Sequence, residues 1–165
     1  EADATSGYAI MKLKITQDAT ASAQQVYAAF TDFARYEEML RDSDVTLSRK
    51  GGWCLPEPGR GWTGKAMVRS KLRRLDATIV AMEPDRGLEL ECKIGGLRIE
   101  HAIALVPLGQ RLTRVNAVID LKPDTLSARL LVQSLKLARA KLLQRMQARL
   151  EREVARVEQR ASPAE

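Results

Sequence analysis

The stretch Leu88–Val106, LELECKIGGLRIEHAIALV, constrains the fold more than any other part of this chain. Leu88, Leu90, Cys92 and Ile94 alternate with Glu89, Glu91 and Lys93. Leu97, Ile99, His101, Ile103 and Leu105 keep the same period beyond Gly95-Gly96. A period of two marks a strand with one buried face. Two glycines supply the positive φ that a tight hairpin turn demands. A two-residue turn pairs Ile94 with Leu97, Cys92 with Ile99 and Leu90 with His101. Each pair sets apolar face against apolar face, and a slip of one residue would destroy every match. An antiparallel sheet buried on one face needs a cover.

The cover is C-terminal. Pro123-Asp124-Thr125 opens a helix, with Asp124 or Thr125 as its N-cap. Leu131, Leu135, Ala138, Leu142, Met146, Leu150, Val154 and Val157 recur three or four apart, one apolar stripe reaching to about Arg160. The other elements are shorter. Tyr8–Gln17 alternates, with Met11, Leu13 and Ile15 on one face. Ser22-Ala-Gln-Gln25 is a capping box. Val26, Phe30 and Phe33 follow it at helical spacing, and a second short helix spans Phe33–Leu40 after a break at Thr31-Asp32. Strands are expected at Val45–Arg49, Trp62–Ser70, Arg74–Met82 and Leu112–Leu121. Pro84-Asp85-Arg86-Gly87 is a turn. A three-residue tip at Gly109-Gln110-Arg111 would set Ile119 opposite His101.

These elements predict an α+β fold: a curved antiparallel sheet of about seven strands around a long C-terminal helix, with two short helices after the first strand. The length, 165 residues, suits one domain, expected over residues 1–160 with a frayed tail at 161–165. No apolar run approaches the roughly 20 residues of a membrane span. The first ten residues lack the basic and apolar regions of a signal peptide, and Met11 is a candidate natural start. Cys54 and Cys92 have no metal-ligand spacing and read as reduced thiols, so the expected compartment is cytoplasmic. No P-loop, GxGxxG, GxSxG or metal cluster occurs, so no cofactor and no metal are expected.

The order of elements is similar to the helix-grip fold of the START-like (SRPBCC) superfamily, which includes polyketide cyclase/dehydrase-like and lipid-transfer domains. Ala21–Leu40, ASAQQVYAAFTDFARYEEML, resembles the family's opening helix pair. Met82–Leu90, MEPDRGLEL, resembles its turn between strands, and the closing helix stands in the family's place. Met39 departs from the pattern, standing where a Trp is often found. The resemblance implies a pocket between sheet and long helix for an apolar or amphipathic small molecule.

On the residues' own pattern, that space is walled by Leu90, Cys92, Ile99, His101, Ile103, Ala117 and Ile119 from the sheet. Leu131, Leu135, Ala138 and Leu142 face them from the helix. His101, the only histidine, has three readings: a ligand contact, a satisfied core residue, or the acid/base of a cyclase or dehydratase. No carboxylate is expected beside it to orient it as a base. The loop Gly51–Trp62 is a candidate lid through Trp53, Arg60 and Trp62, or a segment pinned by its indoles. The net charge is +6. Arg129, Lys136, Arg139, Lys141, Arg145 and Arg149 give the long helix a basic face, either solvated or suited to an anionic membrane surface. Lys65, Arg69, Lys71, Arg73 and Arg74 form a second basic cluster. Aromatics do not interleave with either, so no nucleic acid partner is expected. The stripe's end at Leu150, Val154 and Val157 leaves monomer or homodimer open.

Overall fold

A computed structural model describes residues 10–162. Tyr8 and residues 163–165 of the expected tail lie outside the described residues. Seven antiparallel strands form one sheet in the order β1-β7-β6-β5-β4-β3-β2. In chain order these are β1 (Met11–Ala19), β2 (Val45–Arg49), β3 (Gly61–Val68), β4 (Lys71–Glu83), β5 (Gly87–Ile94), β6 (Leu97–Gly109) and β7 (Leu112–Pro123). Helices α1 (Ala23–Phe30) and α2 (Phe33–Leu40) follow β1, and α3 (Leu126–Leu137) and α4 (Arg139–Ala161) close the chain.

The hairpin register is the one the alternation demands: Ile94 opposite Leu97, Cys92 opposite Ile99, Leu90 opposite His101. Gly95 and Gly96 take φ of 53° and 77°, which side chains with a Cβ rarely adopt. His101 also faces Ile119. The tip that brings this about is a two-residue turn preceded by a bulge at Leu108 rather than a three-residue tip, and the two arrangements give the same register further in. Ser22 and Gln25 close the capping box, each satisfying the other's backbone N–H at 3.2 and 3.0 Å. Asp32 caps α2 by accepting from Arg35 N. Thr125, not Asp124, caps α3, its hydroxyl accepting from Ala128 N.

The single closing helix expected from the stripe is divided at Ala138, which adopts φ −101° and ψ 15°. Arg139, an exposed cation, follows directly after the stripe residue Ala138. Its guanidinium donates to the Lys12 carbonyl at 2.8 Å, on the unpaired edge of β1. Gln147 Nε2 reaches another carbonyl of that edge, Thr16, at 3.3 Å. Glu158 accepts from Thr20 N just past the strand's end. No described helix is long and apolar enough to cross a membrane.

Three buried clusters share the sheet's inner face. One gathers α1, the far half of α4 and β1, β6 and β7 around Val26, Phe30, Val115, Leu150 and Val154. A second holds Met11, Leu13 and Leu121 under Ala128 and Val132 of α3. A third packs Phe33 of α2 against Trp53, Trp62, Ile79 and Leu88. Helices α3 and α4 therefore cover the β1–β7–β6 side, and α2 with the 50–60 loop covers the β3–β5 side.

Candidate ligand-binding site

Between these clusters the middle of the inner face is left partly uncovered. Two cross-strand rows meet there. Trp62, Ala77, Cys92 and Ile99 are successive partners from β3 to β6. Leu90, His101 and Ile119 are partners from β5 to β7. These seven residues and Glu91 line a cavity of about 220 Å³. Ala77, Leu90, Cys92, Ile99, His101 and Ile119 are all half-buried, although the pleat points them inward among fully buried neighbours. Glu91 contributes main chain: alternation turns its carboxylate to the outer face, where it lies 3.8 Å from Lys93 Nζ.

Five of the expected sheet residues thus meet at one cavity. Ile103 and Ala117 do not join them; they are buried under α4. Leu131, Leu135 and Leu142 pack into the α3 cluster. Ala138 sits at the helix break. The helical wall is displaced because α4 lies along edge strand β1 and α3 over β7, away from β4 and β5. Ala77 went unnoticed in the sequence. The Pro84–Gly87 turn pairs β4 with β5, but that pairing carried straight inward would set Thr78 opposite Cys92; a bulge at Val80 shifts the register by one and brings Ala77 there instead.

No protein group among the described residues hydrogen-bonds the His101 imidazole. Burial, and then the positive charge of Arg149, holds its pKa below the ordinary 6.5. The ring is therefore neutral at pH 7, with one N–H to donate and one nitrogen to accept. Cys92 is pushed the other way, its thiol raised by burial and by Asp76, so a reactive thiolate is disfavoured. Trp62 is 5% exposed, and its indole N–H has no acceptor among the described residues. A buried donor left unpaired costs about 1–3 kcal/mol. The cavity wall is apolar apart from the His101 imidazole, which no described group hydrogen-bonds; the Trp62 N–H is itself enclosed.

The expected lid is an anchored loop. Trp53 and Trp62 are buried against Phe33, their centroids 5.1 Å apart. Trp53 Nε1 donates to the Gly61 carbonyl at 2.8 Å, and Arg49 stacks on the Trp53 ring while pairing with Glu37 of α2. Arg60 is spent within the loop, on the Leu55 carbonyl and on Glu57, so its geometry offers nothing to a ligand head group. Sequence reasoning also missed the clasp that holds α2 to α4. There Arg35 ion-pairs with Glu153 in a mostly buried site. Burial, with the Glu153 charge next, pushes Tyr36 beside it up to about 12. Among the described residues no three His, Cys, Asp or Glu side chains are grouped to hold a metal.

Comparison with known proteins agrees with this architecture. The family model described as polyketide cyclase/dehydrase and lipid transport matches residues 11–158. No curated protein matches the sequence. Among solved structures, the Zhui aromatase/cyclase of Streptomyces sp. R1128 superposes with a TM-score of 0.64 at 11% identity, covering 93% of this chain and 97% of that one. Norcoclaurine synthase from Thalictrum flavum, in complex with dopamine and hydroxybenzaldehyde, gives 0.63 at 11% identity over 95% and 91%. A START superfamily protein from Mycobacterium smegmatis gives 0.52 at 13% over 86% and 97%. At such identities the likeness is one of fold.

Proposed function

Given that this chain belongs to the polyketide cyclase/dehydrase and lipid transport family, in the START-like superfamily, we propose that it binds a compact apolar molecule carrying a hydrogen-bond acceptor. The observation that carries this reading is the uncovered centre of the sheet, apolar throughout except for the His101 imidazole, which no described group hydrogen-bonds. Apolar surface supplies affinity and a few polar groups supply orientation. A volume of 220 Å³ is that of roughly seven liquid waters, below the usual range for drug-sized ligands. It suits a one- or two-ring molecule; a long acyl chain would project from it.

Binding without turnover is favoured over a cyclase or dehydratase that uses His101 as its acid/base. A catalytic imidazole is held by an orienting partner, and here none of the described residues bonds the ring. The neighbouring charge is the cation of Arg149, which lowers the ring's basicity.

The test is native mass spectrometry of freshly purified protein, followed by Trp fluorescence titration with small aromatic ketones and phenols. Bound mass or saturable quenching is expected. His101→Leu should weaken the best ligand by about tenfold, the value of one hydrogen bond. A protein that retains nothing and responds to no member of the panel would overturn the reading, as would an unaltered affinity in His101→Leu.

A further inference from the structure

Helix α3 has two apolar faces. At 100° per residue, Ala128, Leu131, Val132 and Leu135 fall on one side, and they pack into the core. Leu126, Leu130 and Leu137 fall on the opposite side within about 40° of one another, and they are 71%, 64% and 92% exposed. A helix that is apolar on both sides is ordinarily covered on both. Lys136 flanks these leucines, and no acid occurs between Thr125 and Leu150.

A second exposed element stands at the same end of the sheet. Helix α3 starts at the β5–β6 turn, where Asp124 N donates to the Gly96 carbonyl at 2.8 Å. Beside that turn the β3–β4 hairpin runs on. Leu75 is opposite Ile94, the last residue of β5, and the tip at Arg69-Ser70 lies five residues further, roughly 17 Å. The Arg73 stem passes 3.5 Å from where a Cβ on Gly95 would stand. This arm presents Met67 and Leu72, paired across the hairpin and 48% and 59% exposed. Around them are Lys65, Arg69, Lys71, Arg73 and Arg74, with no acid from Gly64 to Leu75. Arg69 and Ser70 form the tip with φ of 48° and 63°.

We propose that this end of the molecule, the outer face of α3 with the β3–β4 arm, docks on an anionic lipid bilayer. Exposed leucines amid cations, without acids, fit a headgroup–acyl boundary of negative potential. An acidic protein or a nucleic acid would satisfy the cations but leave the leucines wet, and no aromatic residue lies in either segment to stack on bases. The surface lies close to the cavity, since Cys92 is three residues from Gly95, but the inference does not depend on what the cavity holds.

Co-sedimentation with phosphatidylcholine vesicles, with and without phosphatidylglycerol, tests it on the full chain at low salt. Binding to the anionic vesicles is expected, with loss of about tenfold or more in Leu126→Ser/Leu130→Ser/Leu137→Ser and in Arg69→Glu/Lys71→Glu. All five positions are exposed, so the melting temperature should hold and unfolding would not explain the loss. His101→Leu should bind vesicles as the parent does, which separates this outcome from that of the cavity reading. No binding to anionic vesicles would overturn the proposal. So would full binding by the leucine variant, or tighter binding to a single-stranded oligonucleotide that the leucine changes leave intact.

Discussion

His101 shows how an environment decides a side chain's chemistry. Its position on the inner face follows from alternation alone, and so does the absence of a carboxylate from its strand neighbours. The hydrophobic pattern could not place Arg149 near it, because a stripe says which side of a helix is buried and not what lies across from it. The burial and that cation have a measurable consequence. The imidazole's pKa in the folded protein lies below its unfolded value of 6.5, so the unfolded chain binds the proton first as pH falls. The stabilisation is complete above 6.5 and is lost as pH drops through 6.5 toward the folded value. Thermal melts from pH 8 to pH 5 should show that decline, and His101→Phe should flatten it. An equal slope in the variant would mean that other groups cause it. Trp62 and Glu153 were less legible. Trp62 reads as the junction of a loop and a strand, and its neighbours appear only once β3 is paired with β4, while Glu153 meets Arg35 across 118 positions of sequence.

Elements were readable in proportion to how cleanly one face is buried. The β5–β6 hairpin has a strict period of two and a glycine turn, and its register followed at once. The β3–β4 arm has no such alternation: Lys71 to Arg74 are all exposed, so β4 was expected to begin at Arg74 where it begins at Lys71. The division of the closing helix at Ala138 carries neither Gly nor Pro, and the apolar stripe runs through it unbroken, so nothing in the pattern marks it. The turn and the helix cap are joined as well. A Cβ on Gly96 would stand 2.5 Å from Thr125 Oγ1, at a φ of 77°. Gly96→Ala should therefore destabilise the protein by about 1 kcal/mol or more, read as a lowered urea midpoint. An unchanged midpoint would mean that the α3 cap moves aside without cost.

At the scale of the molecule, element order was enough to anticipate a sheet wrapped on a closing helix, and the resemblance named its family. The cavity was only half legible. Its sheet wall follows from strand register. Its expected helical wall is packed elsewhere, because α4 follows the β1 edge and leaves the centre of the sheet to α2 and the tryptophans. The cavity is thus a gap between separately packed clusters, and filling it should be tolerated. Ala77→Leu adds apolar volume from the cavity floor. It should hold or raise the melting temperature while abolishing ligand quenching of Trp62. Full ligand binding in that variant would place the site elsewhere on the protein.

The side chains that α4 lays along β1 have a further consequence. An open sheet has two rims, and a rim of bare amides and carbonyls is a template on which any stray strand can add. Here Arg139 and Gln147 occupy carbonyls on one rim, and the other rim is a strand of five residues. The fold therefore guards itself against fibre growth and strand exchange by the same helix that closes its core, so a change on the outer side of α4 that left packing intact would still bare the edge to aggregation.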